Sequence, residues 1–237
     1  MKLIVFIFFT GSFGLLSLLA NCQNSNSKDV SNANYFLTGS IKGIDTGWLY
    51  IKHRQTGKID SAIIENGKFM ITGKTETPEF CNIGTGSSGK RDFYFGFFLA
   101  ACKMTLKANK DSLFDAAIDI QGYYVQDEFK KFQQLMRPID IMSNEIWMTE
   151  KTPLNQDSLD LKQKQLDKKR KEIIWNYAVK NPNSYITAFE ASSYFTEKED
   201  LQKLKSIFTK MKPALQKWYY SQKIKNHLQE NNITVDK

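Results

Sequence analysis

The sequence predicts an α+β fold, with an N-terminal antiparallel β-sandwich or small barrel followed by a C-terminal α-helical region. Three observations predict it. Residues 35–121 hold short runs of β-branched and aromatic residues, separated by glycine-containing turns. Beyond Val125 the apolar spacing becomes helical. The two patterns follow one another without alternating, so no parallel βαβ sheet is expected.

The strands are read in order. Tyr35–Ile41, Trp48–His53 and Ile59–Ile64 come first. Asn66-Gly67 accepts the positive φ angles of a type I′ turn, and Phe69–Thr72 is the return strand. Glu79–Ile83, Asp92–Leu99, Lys103–Lys107 and Ala116–Ile120 complete the set. In the second half Val125, Phe129, Phe132 and Met136 mark one helical face, which Arg137-Pro138 is expected to interrupt. A longer helix spans Gln156–Lys180, and Asn181-Pro182 stops it, because proline disfavours helical geometry in the residue before it. Further helices are expected from Asn183, from a capping box at Thr196 and Glu199, and from Pro213 to about Gln229.

Before the strands lies a segment of another kind. Met1-Lys2 is followed by a nearly charge-free apolar run from Leu3 to Leu19, broken by glycines and serines, which suits a signal peptide better than a membrane span. The run ends Leu19-Ala20-Asn21-Cys22, the arrangement of a lipoprotein signal, with Cys22 the residue to be lipidated. Asn21 stands where a smaller residue is usual. A polar stretch follows Cys22, as a tether requires. The expected organisation is therefore a signal peptide at 1–21, a tether at 22–34, the β domain at 35–121, the helical region at 122–230 and a tail at 231–237. Membrane attachment would run through the Cys22 anchor, in the cell envelope and on the outer membrane, with which Gln23 is compatible.

Net charge is +8, from 33 Lys+Arg against 25 Asp+Glu. The basic residues are spread along the chain, with one local excess at Lys162–Lys171 inside a helix, so nucleic acid is not an expected partner.

Candidate chemistry is sparse. Gly84-Thr85-Gly86-Ser87-Ser88-Gly89-Lys90 has the spacing of a phosphate-binding loop. Arg91 replaces the magnesium-binding hydroxyl, and a strand rather than a helix follows, so a hairpin connection is expected instead. Cys81 and Cys102 form no C-x-x-C. They are expected as free thiols, with a structural disulfide the other option. His53 and His227 lack neighbouring ligands in sequence, so no metal site is expected, and no cofactor. Asp127-Glu128 and Glu199-Asp200 read as surface charges on helices. No catalytic residue is assigned.

Several segments together suggest a family. Leu37-Thr38-Gly39-Ser40-Ile41-Lys42-Gly43-Ile44, Ile59-Asp60-Ser61, Glu65-Asn66-Gly67-Lys68-Phe69, Gly73-Lys74 before Pro78-Glu79, and Phe97-Phe98-Leu99 carry the likeness. Gln126-Asp127-Glu128-Phe129 and Asn181-Pro182-Asn183-Ser184-Tyr185 extend it into the helical part. The sequence resembles the domain of unknown function (number 4369) found N-terminal to thioredoxin-like (TlpA-type) domains in envelope thiol-disulfide oxidoreductases. The resemblance implies that fold and an envelope location. It does not carry over the oxidoreductase activity, because the C-x-x-C domain that performs it has no counterpart in these residues, and Cys102 stands where the family tends to have glycine.

The expected role is a lipid-anchored, non-catalytic binding or accessory module. Two alternatives are kept: a partner or regulator of a separate thioredoxin-like envelope enzyme, and a redox protein using Cys81 and Cys102.

Overall fold

The computed structural model describes residues 32–86, 93–111 and 118–235. The expected signal peptide, Cys22, most of the tether, Ser87–Asp92 of the glycine-rich loop, Ala116 and the last two residues of the tail lie outside them.

Among the described residues eight strands form: β1 (Tyr35–Lys42), β2 (Thr46–His53), β3 (Ile59–Glu65), β4 (Lys68–Gly73), β5 (Glu79–Thr85), β6 (Phe93–Leu99), β7 (Lys103–Asn109) and β8 (Ile118–Gln121). They make one sheet in the order β6-β5-β2-β3-β4-β1-β7-β8, curled into a half-barrel. Every neighbouring pair is antiparallel except β1 and β7, which run parallel from Phe36↔Lys103 to Lys42↔Asn109. The β3–β4 turn forms at Asn66 (φ 51°) and Gly67 (φ 72°), left-handed angles that asparagine tolerates and that glycine, with no Cβ, adopts freely. Alternate residues point into the curl, where Leu37, Leu49, Ile51, Ile64, Ile83, Phe97 and Leu106 form one apolar core. Gly39 marks the tightest approach: a Cβ there would lie 2.0 Å from the Leu106 carbonyl oxygen.

The helices are α1 (Tyr124–Met148), α2 (Gln156–Lys180), α3 (Tyr185–Tyr194), α4 (Leu201–Lys210, preceded by a 3₁₀ turn at Lys198–Asp200), α5 (Pro213–Gln216) and α6 (Tyr219–Glu230). They pack against the outer face of β5 and β6. Phe98 joins the helical core, and the Phe80 ring packs against it over Gly96, where any side chain would collide with it. Gln126 Oε1 accepts a hydrogen bond from the Phe98 amide (2.8 Å), so the start of α1 satisfies a donor on the edge strand β6.

Two helix expectations need correction. Pro138 does not interrupt α1, which continues to Met148. Losing one backbone hydrogen bond is tolerated because Met136 and Ile139, on either side of Pro138, are both buried and α2 runs alongside. No side-chain cap forms before α4; the 3₁₀ turn leads into it instead.

The α1–α2 pair is an antiparallel arm. Tyr177 Oη donates to Glu128 Oε1 (2.5 Å) near its base, and Arg170 pairs with Asp140 Oδ1 (2.7 Å) farther out. Beyond Ile139 no residue of α1 is buried. At the tip Trp147, Met148 and Leu154 are 78%, 70% and 98% exposed.

Glu190 of α3 is buried near Arg170, and burial lifts its carboxyl to about 8, against the smaller opposing pull of the Arg170 charge. A carboxyl raised on folding makes stability fall as pH rises from its ordinary range through about 8. Glu190→Gln is therefore expected to stabilise the protein more at pH values above 8 than in mild acid, measured by urea unfolding. An equal effect at both pH values would contradict the assignment.

Candidate functional site

Along β2, Leu49, Ile51 and His53 face inward; along β3, Asp60 and Ile64; along β5, Glu79, Cys81 and Ile83; along β1, Tyr35 and Leu37. The polar members of these rows all fall at one end of the half-barrel, where β2 ends and β1, β3 and β5 begin. Cross-strand register then brings them together, with His53 opposite Cys81.

The imidazole of His53 is the centre of the cluster. Nδ1 meets Glu79 Oε1 at 2.6 Å, and Nε2 meets Asp60 Oδ2 at 3.0 Å. Cys81 Sγ lies 3.9 Å from Nδ1. Tyr35 Oη donates to Asp60 Oδ2 (2.5 Å), and Lys58 Nζ reaches the same carboxylate at 2.9 Å. All except Lys58 are buried. Gly73 closes one side, since a Cβ there would lie 2.4 Å from Asp60 Oδ2. At the same end Asn34 clamps Thr75 through two hydrogen bonds, and Trp218 Nε1 donates to the Pro78 carbonyl (2.6 Å).

The charges follow from this geometry. Burial alone would lower the His53 pKa, but hydrogen bonds to Asp60, Cys81 and Glu79 prevail and raise it to about 11. Burial would raise Asp60, yet hydrogen bonds from His53, Tyr35 and Lys58 hold its carboxyl far below the usual carboxylate range. Burial pushes the Cys81 thiol up to about 11 despite its hydrogen bond to His53. Cys81, His53 and Asp60 thus stand in the order of a thiol–imidazole–carboxylate triad. The arrangement is poor for nucleophilic catalysis: the second imidazole nitrogen is engaged by Glu79, and a buried thiol with a raised pKa is the reverse of an activated one.

A family model described as a domain of unknown function (DUF4369) matches residues 35–129, from the first residue of β1 into the first turns of α1. These residues are a DUF4369 domain. Tyr35, His53, Lys58, Asp60, Glu79 and Cys81 all belong to it, whereas the outer part of the α1–α2 arm lies beyond the match. No curated protein and no solved structure matches the chain significantly.

Cys22 lies outside the described residues. Cys81 and Cys102 are both free thiols; Cys81 faces the interior of the DUF4369 domain, and Cys102 Sγ contacts the Gly122 carbonyl at 3.6 Å. Gly84-Thr85 ends β5, and the strand β6 is described after the loop from Phe93. The acidic pairs differ from expectation: Asp200 is buried against Lys171 Nζ (2.6 Å), and Glu128 holds Tyr177. His227 stands on α6, a different element from His53. Sequence reasoning missed the cluster because its residues sit on four separate strands, β1, β2, β3 and β5. The available signal was His53, Asp60 and Glu79 falling in phase with the buried positions of β2, β3 and β5.

Proposed function

We propose that the chain is a lipid-anchored, non-catalytic accessory module of the cell envelope, held to the outer membrane through Cys22 and engaging a protein partner through the tip of the α1–α2 arm. The observation that carries this reading is the exposed Trp147, Met148 and Leu154 at the end of a two-helix projection. A large aromatic anchor flanked by apolar side chains supports a binding hot spot rather than an idle surface. The lipoprotein signal before Cys22 supports the anchor.

The resemblance to modules that accompany thioredoxin-like enzymes favours such an enzyme as the partner. A redox role for Cys81 and Cys102 draws no support from their placement, because Cys81 is enclosed and its thiolate is disfavoured.

Labelling cells with a clickable fatty acid is expected to mark the wild-type chain and not Cys22→Ser. Crosslinking in intact cells, followed by capture, is expected to enrich one envelope protein. Combining Trp147→Ala with Leu154→Ala should lose that enrichment at least tenfold while moving stability by less than about 0.5 kcal/mol, since both side chains are exposed. Unchanged capture by the double variant would remove the arm from the interface. Turnover by purified protein that vanishes on a single substitution would overturn the non-catalytic reading.

A further inference from the structure

We infer that His53 Nδ1, Glu79 Oε1 and Cys81 Sγ form a binding site for one thiophilic divalent cation of the zinc class. The three donor atoms lie within 4.8 Å of one another, and all three residues are buried. A nitrogen, an oxygen and a sulfur donor are the set that suits zinc or cobalt(II), whereas calcium and magnesium take oxygen alone.

The surroundings also fit. A metal-bound histidine is ordinarily fixed by a carboxylate on its other ring nitrogen. Asp60 occupies that place on His53 Nε2, and is itself held by Tyr35 Oη and Lys58 Nζ. Nδ1 is therefore directed at Glu79 and Cys81 by a contact on the opposite side of the ring. Two donors each ~2.1 Å from one ion at the tetrahedral angle stand ~3.4 Å apart. Nδ1 and Oε1, now at 2.6 Å, need to part by less than about 1 Å on that basis, and Nδ1 and Sγ at 3.9 Å need only a slight approach.

The surrounding charge also suits a cation: carboxylates Asp60 and Glu79 flank the imidazole, with ammonium Lys58 beside Asp60. Nδ1 and Sγ bind a metal in their deprotonated forms, so any proton on either leaves to solvent when the ion enters. The three protein donors leave the fourth position of the tetrahedron for a small ligand such as water.

The test uses the full chain in detergent, unfolded with chelator and refolded with cobalt(II) or zinc. Wild-type protein is expected to bind one ion per chain and to show a thiolate-to-cobalt charge-transfer band in the near ultraviolet, with intense visible d–d bands. Cys102→Ser should keep the charge-transfer band and Cys81→Ser should lose it. X-ray absorption on the zinc form of the wild-type protein should find one sulfur at about 2.3 Å together with imidazole nitrogen, a readout that stands if Cys81→Ser does not fold. No cobalt–thiolate band, a zinc shell without sulfur or with more than one, or a band that follows Cys102 would each overturn the site.

Discussion

His53→Ala is expected to destabilise the protein by about 3–5 kcal/mol, the cost typical of breaking a buried ion pair from one side. Among the described residues Glu79 is paired with His53 alone, so its carboxylate would be left enclosed without a counter-charge. Asp60 would keep Tyr35 and Lys58. Replacing His53 and Glu79 together by leucine removes charge and counter-charge at once, and should recover most of the loss. The metal-free protein should show the matching pH dependence. His53 is raised on folding, so its contribution is complete below its ordinary value near 6.5 and disappears as pH climbs through about 11. Asp60 is depressed, so its contribution is present above the ordinary carboxylate range and disappears in acid. Urea unfolding from about pH 2 to about pH 11 should thus give a dome for wild type, its acid limb below about pH 4, and a flatter curve for His53→Ala. A cost near zero, or no flattening, would show that the network contributes nothing.

Gly39→Ala is expected to cost at least about 3 kcal/mol, combining overpacking with lost ladder hydrogen bonds. The added Cβ would meet the Leu106 carbonyl oxygen at 2.0 Å and its carbon at 2.9 Å, with the Phe69 ring also at 2.9 Å. A backbone oxygen cannot swing aside as a side chain can. Strands β1 and β7 must separate, and β8, which pairs only with β7, moves with them. Thr38→Ala, on the exposed face of the same strand, serves as the control and should cost under about 1 kcal/mol. Equal midpoints for the two variants in thermal unfolding would contradict this account of the seam.

Local chemistry was readable in the sequence wherever the decisive contacts are local. Asn66-Gly67 forms its turn, and Asn181-Pro182 ends α2 where the backbone rule puts the stop. The eight strand runs appear in order for the same reason. What escaped depends on partners distant in the chain. Pro138 looked like a helix terminator because its local cost is visible and the support from α2 is not. The parallel β1–β7 contact joins residues 103 − 36 = 67 positions apart, which no short-range pattern encodes. His53, Asp60, Glu79 and Cys81 each looked unremarkable alone; only the curl and the register make them one cluster. The arm tip was invisible for a related reason: only the folded chain shows that α1 buries nothing beyond Ile139 and leaves Trp147, Met148 and Leu154 exposed.

The placement of β1 has a mechanical consequence. It is an interior strand, bordered by β4 on one side and β7 on the other. A pull applied at Tyr35 along the preceding chain would act parallel to the strand, loading both ladders in shear. The bonds must then yield together rather than peel one by one, so rupture is governed by an unfolding barrier more than by equilibrium stability. Tension on the N-terminal side would therefore be resisted by both ladders of β1 at once.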